Sequence, residues 1–550
     1  MDHSGTCTVR QWCGGVSPAL RVPSFQRGYV WGAAGAEAFY RDLRDTCLTG
    51  GEHYLGIVLL SSSPGSAPDL IDGQQRLITL AFLLAALREC AGLPRDQIPL
   101  PSLQLKPQHQ TFFLHCLTGG VFSDGEGEGV PPLSEVQQSM EDACHRLLAL
   151  LHADFASPAE RTSFAAWLLS RVCLTFAQLH PFRDPIGAFL RLNGDGDGLH
   201  ALKVQVLLRS RPGKAREAAA RFWDTVSDRL GSEFSELLRM ILAIKAPDEL
   251  REEPAAACRR LLEKLSGDVF AEMVLAPYAR VYEILLARRE IPAPEPQQSR
   301  LRELFWWLNQ LPTRDWMTPA LYFLAALLYT SDRADLLAFF QRLERLAAFL
   351  YLTGAAPADA QARFSALLRA LKSGGIAEQA AAEATELLEN EAARFAAVLD
   401  GPLLSTLDSA QVRYVLLRLE SFAAGGLSRR FMAPDGLPGF ADELPSLVPT
   451  LSGIVVAQVF PAPADGWPQW TAEDSSRWSG RAANLVPLLG GDWDPALPFA
   501  AKKDRYLATR LGPEEFTLTA QVLRQCGWTP ALAAERQEML CGVLRRGWRI

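Results

Sequence analysis

Histidine is the residue this chain most conspicuously lacks. Eight occur in 550 residues, at positions 3, 53, 109, 115, 145, 152, 180 and 200, and none follows position 200. Any imidazole chemistry in residues 201–550 must therefore borrow its histidine from the N-terminal part or from another chain. No apolar run reaches the ~18 residues of a membrane-spanning helix, so no span is expected. The first thirty residues carry Asp2, Arg10 and Arg21 without an apolar core, so no secretory leader is expected either. The ten cysteines are scattered and contain no CxxC pair. That excludes a disulfide framework, argues against a structural zinc site and fits a cytoplasmic location. A formal charge of −7 excludes a chain that is basic throughout, which leaves DNA only a local patch and a weak hold by this chain alone.

What is present reads as an α+β chain, predominantly helical. Ala19 to Phe25 is a short extended run, Gly35 to Asp45 an amphipathic helix, and His53 to Leu60 an apolar run of strand length. The turn signal Asp72-Gly73 follows, after which Leu77, Leu80, Leu84 and Leu87 recur at helical spacing. Helical periodicity is read over Leu133–Leu151 and Glu160–Leu179, then in two segments between Ile186 and Leu208, and in nearly everything from about 215 to 425. From Pro445 the chain turns to Trp, Gly, Pro and short apolar runs. The expected organisation is an α/β domain over 1–125, a helical extension over 126–215 that completes it, a helical domain over 216–440 and a C-terminal domain over 441–550.

The strongest local feature is Ile71-Asp72-Gly73-Gln74-Gln75-Arg76, set between a strand and a helix. Gly73 lets backbone approach a ligand closely, and the first amides of a helix favour anions. Arg76 in the first turn has a fork suited to phosphate oxygens, and Asp72 could hold Mg²⁺ or orient a water. The same spacing also suits a plain helix cap by Asp72 and a surface ion pair by Arg76. Asn193 to Gly198 (NGDGDG) superficially suggests a Ca²⁺ loop but lacks the closing Glu.

Three blocks, VPSFQRGYVW (22–31), HYLGIVLL (53–60) and LIDGQQRLITL (70–80), stand in the order and near the spacing of the N-terminal domain of the GmrSD-type restriction endonuclease family, which this region resembles. A further block fits as Ala188-Phe189-Leu190-Arg191-Leu192-Asn193 with Gly196, Leu199 and Lys203, departing where His200-Ala201 replaces the usual polar lead-in. The resemblance covers about residues 15 to 210. It implies a ParB-like fold and binding, usually hydrolysis, of a nucleoside triphosphate (ATP, GTP, CTP or UTP) with Mg²⁺. Carried over by position, Arg27 and Arg76 would contact phosphates, Asp72 would serve the metal or the attacking water, and Gln26, Gly73, Gln74 and Gln75 would shape the pocket. Asn193 is a further candidate, although an Asn before a Gly can simply close a turn.

Near the other end, Asn484-Leu485-Val486-Pro487-Leu488-Leu489, Phe499 and Lys502-Lys503 resemble the GNLxLL…F…K pattern of the family's HNH (His-Me finger) nuclease domain. That domain opens on an EHIxPQ-like motif whose His is the general base. The corresponding segment here is Val456-Ala457-Gln458-Val459-Phe460-Pro461, with Gln458 at the histidine position. Glutamine takes up no proton near neutral pH, and no other register within 201–550 supplies a histidine. The expectation is a degenerate His-Me-finger-like domain, kept as a packing or DNA-contact module with Arg545, Arg546 and Arg549 as a short basic tail. Taken together, the sequence points to a nucleotide-binding, NTP-hydrolysing subunit of a prokaryotic anti-phage or restriction-type defence system with a protein partner from that system. The alternatives are an active modification-dependent DNA endonuclease and a non-enzymatic scaffold or sensor.

Overall fold

The computed structural model describes residues 4–16, 19–61, 67–118, 133–179, 185–193, 198–245, 260–287, 290–329, 335–374, 382–383, 385–425, 454–460, 467, 469–489, 494, 497–508 and 516–550. Contacts divide the chain into two compact units, Met1–Ala276 and Pro277–Ile550. The fold is α+β and predominantly helical.

In the first unit the elements run β1 (Ser4–Thr8), β2 (Leu20–Arg21), α1 (Gly32–Leu48), β3 (His53–Ser61), β4 (Asp69–Asp72), α2 (Gln74–Ala91), β5 (Leu103–Gln104), α3 (Pro107–Leu117), α4 (Glu135–Asp154), α5 (Pro158–Arg171), β6 (Val172–Leu179), α6 (Pro185–Asn193), α7 (Gly198–Arg209), α8 (Lys214–Leu230) and α9 (Glu233–Lys245). The strands form one mixed sheet in the order β1-β6-β3-β4-β2-β5. β2 is parallel to both β4 and β5, with Arg21 opposite Asp69 and Leu20 opposite Leu103. β3 and β4 are antiparallel.

α2 explains much of this architecture. Its apolar residues do not stop at one face: every residue from Leu77 to Leu87 is buried. A helix apolar all round has to be enclosed, and α1, α4 and α5 pack about it on one side of the sheet. β4 separates two cores. Leu70 joins the core around α2, whereas Ile71 joins Phe25, Ile186, Phe189, Val204 and Ala219 on the other face. That alternation follows from the period-two side-chain direction of a strand.

The helix expected over Glu160–Leu179 is a correction. It ends at Arg171, and Val172–Leu179 is a central strand, antiparallel to β1 and parallel to β3. Val172, Leu174 and Phe176 are buried while Cys173, Thr175 and Ala177 are half-buried. The period changes from 3.6 to 2 with no glycine or proline between the two elements, which hides the junction in the sequence.

Among its described residues the second unit is helical apart from one antiparallel strand pair. Its elements include α10 (Glu295–Asn309), α11 (Leu336–Leu352), α12 (Ser409–Ala424), β7 (Ile454–Gln458), β8 (Leu485–Leu489), α13 (Phe499–Ala508) and α14 (Pro530–Trp548). β7 and β8 pair antiparallel, Ile454 opposite Leu489 and Gln458 opposite Leu485. Trp306 and Trp307 are buried packing residues. A buried carboxylate, Glu344, accepts from Tyr414 Oη at 3.0 Å, Arg418 Nε at 3.0 Å and Trp548 Nε1 at 2.9 Å. Such a charge is tolerable because its oxygens are hydrogen-bonded and its partner is cationic. No helix among the described residues is long and apolar enough to cross a membrane.

Candidate functional site

The DGQQR turn sits where β4 gives way to α2. Gly73 occupies the N-cap with φ 97° and ψ 5°, a left-handed conformation, and no side chain caps the helix. A Cβ there would meet Val58 Cγ2 at 3.2 Å and Ile57 O at 3.6 Å. Both the backbone angle and the close approach to β3 therefore call for glycine. With no capping side chain, the first amides of α2 keep their affinity for an anion.

Arg76 does not stand open toward a ligand with its whole fork. Nη1 donates to Leu55 O at 2.5 Å, and Nη2 donates to Ile57 O at 2.9 Å and, more weakly, to Asp72 Oδ2 at 3.4 Å. Gly56, itself at φ 95°, leaves the room this guanidinium occupies. Arg76 thus ties α2 to the exposed backbone of β3 and holds Asp72. The Asp72 side chain is 42% exposed and that of Arg76 29%.

The two motifs that lie some forty-five residues apart in sequence are clasped. Gln74 Nε2 donates to Arg27 O at 2.9 Å. Gln75 Nε2 donates to Gly28 O at 3.0 Å, while its Oε1 accepts from Val30 N at 3.0 Å. The Gln75 amide therefore pairs with backbone much as a neighbouring strand would. Gln26 is buried and donates from Nε2 to Ile71 O at 2.7 Å and Leu70 O at 3.3 Å, so it pins the segment to β4. Tyr29 Oη and Thr79 Oγ1 lie 2.8 Å apart beneath them. The result leaves Arg27 exposed, with no side-chain hydrogen bond or ion pair among the described residues. Gln74 Oε1 is buried and finds no donor.

Of the remaining N-terminal candidates, Asn193 closes α6, and its side chain lies outside the described residues. Lys203, from the same block, is buried on α7. Its Nζ donates to Ser24 O at 2.5 Å and to Asp224 Oδ1 at 2.6 Å. Lys106 Nζ donates to the other oxygen of Asp224 at 2.9 Å. Burial, together with the charge of Lys106, pushes Lys203 down to about 7. Lys106 and Asp224 carry no motif, and only their burial as charged residues in three dimensions singles them out.

In the second unit, Gln458 ends β7 and donates from Nε2 to Ser479 O at 2.9 Å. Asn484 is fully buried. Its Oδ1 accepts from Phe460 N at 2.9 Å, and its Nδ2 donates to Phe460 O at 2.9 Å and Ser479 O at 3.1 Å. Lys502, on α13, donates from Nζ to Val459 O at 2.6 Å, and burial lowers its pKa to about 8. The three residues anticipated from the sequence thus converge on the turn that leaves β7, within a strand–strand–helix unit. Among the described residues, no group of three His, Cys, Asp or Glu could hold a metal ion.

No curated protein matches the chain. Residues 10–196, which carry β2 through β6 and both clasped motifs, match the family described as the GmrSD restriction endonuclease, N-terminal domain. The match spans the N-terminal third of the chain, and over that part the chain is similar to the N-terminal domain of GmrSD-type restriction endonucleases.

Proposed function

We propose that this protein binds a nucleoside triphosphate at the DGQQR turn, hydrolyses it, and serves as the nucleotide-responsive subunit of a prokaryotic restriction-type defence system whose nuclease-like C-terminal domain is silent. The observation that carries this reading is the clasp. Gln74 and Gln75 hold the carbonyls of Arg27 and Gly28, and so bring an open guanidinium, a half-exposed carboxylate and the uncapped N-terminus of α2 into one neighbourhood. Phosphoryl transfer depends mainly on positioning and charge neutralisation, which these groups provide.

Each residue has a role in this scheme. Arg27 and the first amides of α2 neutralise phosphate oxygens. Asp72 orients a water or carries the metal, and Arg76 is a positioning residue that fixes the Asp72 carboxylate. Gln74 Oε1, buried without a donor, suits a hydrogen-bond donor brought by the ligand. Mg²⁺ commonly uses one or two protein carboxylates plus the substrate's own phosphates, so Asp72 alone fits it, and the ion would supply charge neutralisation between phosphate oxygens.

The C-terminal unit supports the silent reading. β7, β8 and α13 supply a strand, a strand and a helix, the motif resemblance puts Gln458 where the family's general base would stand, and residues 201–550 hold no histidine. A glutamine amide cannot take a proton from water near neutral pH. The purified chain, given ATP, GTP, CTP or UTP with Mg²⁺, is expected to bind at least one and release phosphate. Asp72→Ala should abolish release and Arg27→Ala should weaken binding, and plasmid DNA should remain intact in every case. Absence of binding to all four nucleotides sinks the nucleotide reading. Cleavage of DNA by the full chain, lost in a Gln458→Ala variant, sinks the silent-nuclease reading.

A further inference from the structure

A cavity of about 380 Å³ opens on the opposite face of β4 from α2. It lies beyond the carboxyl ends of the parallel strands β2 and β5, where open α/β sheets collect ligands. One wall is apolar, formed by Val22, Pro23, Phe25 and Ile186. The polar side contains Arg21, Lys106, Arg216 and Arg221 against Asp69, Glu217 and Asp224, and Arg21 is already paired with Asp69 at 2.6 Å.

Three observations mark this cavity as incomplete without an anion. First, the buried floor holds two lysines against one carboxylate, since Lys106 and Lys203 share Asp224. Second, three helices begin at the cavity: α3 at Lys106-Pro107, α6 at Pro185 and α8 after Gly213, so three positive dipole ends converge there. Third, Arg216 Nε is buried with no hydrogen-bond partner, and Arg221 has no ion pair among the described residues. A buried guanidinium N–H left unpaired carries a desolvation cost that an anionic oxygen would relieve.

We infer that this cavity is a second anion site, separate from the DGQQR turn, that takes a small phosphomonoester of mononucleotide size. The phosphoryl group would lie against Lys106, Arg216 and Arg221, with the ring on the Phe25 and Ile186 wall. The volume suits such a ligand, since sites for small molecules begin at roughly 300 Å³. Lys203 links the floor to the carbonyls of Ser24 and Gln26, directly before Arg27, so an occupant also bears on the segment that carries Arg27.

The inference does not depend on the nucleotide reading of the turn, and one experiment separates them. Adenosine 5′-monophosphate is titrated calorimetrically into the full chain, with adenosine and inorganic phosphate as separate probes. Saturable binding of the monophosphate is expected, weakened about tenfold or more in Arg216→Ala and Arg221→Ala by loss of charge-assisted hydrogen bonds. Inorganic phosphate should compete, and adenosine should bind at least tenfold more weakly. Arg27→Ala and Asp72→Ala should retain binding. Arg221 is exposed, so its variant keeps the test valid if Arg216→Ala fails to fold. No saturable binding, equal binding of adenosine, or loss in Arg27→Ala with none in Arg221→Ala overturns the inference.

Discussion

Replacing Gly73 by alanine perturbs the DGQQR turn at its most constrained atom. An L-residue in the left-handed region costs about 1–2 kcal/mol, and φ 97° lies well past the centre of that region. The new Cβ also meets Val58 Cγ2 at 3.2 Å, with Val58 Cα at 3.5 Å behind it, so β3 and α2 must part slightly. Overpacking of this kind adds on the order of 1 kcal/mol, for a total of about 2–3 kcal/mol. Gly92, at the other end of the same helix, is the internal control. Its φ is 63° and a Cβ there meets nothing within 4 Å, so Gly92→Ala should cost about 1 kcal/mol. Hydrogen exchange across a urea series, read on peptides spanning 74–91, separates the two. Gly73→Ala should also lose triphosphate binding, because the Gln74 and Gln75 amides move with the turn, while Gly92→Ala should keep it. Equal destabilisation by both variants, with nucleotide affinity unchanged in both, would refute the reasoning.

Three further outcomes follow from the same contacts. Arg76→Lys replaces a fork bonded to Leu55 O and Ile57 O by a single ammonium, and should cost about 1–2 kcal/mol with reduced phosphate release; an unchanged rate would remove Arg76 from its positioning role. Asn484→Ala strands the Phe460 N–H in a buried site and should cost about 2–4 kcal/mol, read as faster exchange over 454–460 and 485–489. Lys203 has a folded-state pKa of about 7, below its ordinary 10.5, because it is buried beside Lys106 with only Asp224 to share. The unfolded chain then holds more protons between those values, so stability of the first unit should rise from pH 7 toward 10, by at most about 1.4 kcal/mol per pH unit. Lys203→Met should flatten that rise, and a slope that persists in the variant would exclude Lys203 as its source.

Much of the first unit was legible because its signals are local. The apolar run at 53–60 and the Asp72-Gly73 break announce β3 and the start of α2 without reference to anything distant. The N-terminal motifs were legible as chemistry but not as geometry. Arg76 reads as a phosphate fork, yet the Leu55 and Ile57 carbonyls of β3 claim most of its donors, a contact that no spacing rule contains. Gln74 and Gln75 read as pocket residues, and their clasp on Arg27 and Gly28 appears only when 27 and 74 are brought together. β6 was hidden because helix and strand meet at Arg171-Val172 with no breaker between them. The cavity was invisible for a similar reason. Its charges come from positions 21, 106, 216, 221 and 224, each unremarkable in its own segment, and only folding leaves two lysines to share one aspartate.

The most direct test of the central claim is a hydrogen-exchange footprint of the full chain with and without a saturating nucleoside triphosphate and Mg²⁺. Binding at the clasped motifs requires slowed exchange at residues 26–30 and 72–77 together, with Arg27→Ala raising the nucleotide concentration needed for both. Protection confined to other segments, or none with any of ATP, GTP, CTP and UTP, would contradict it.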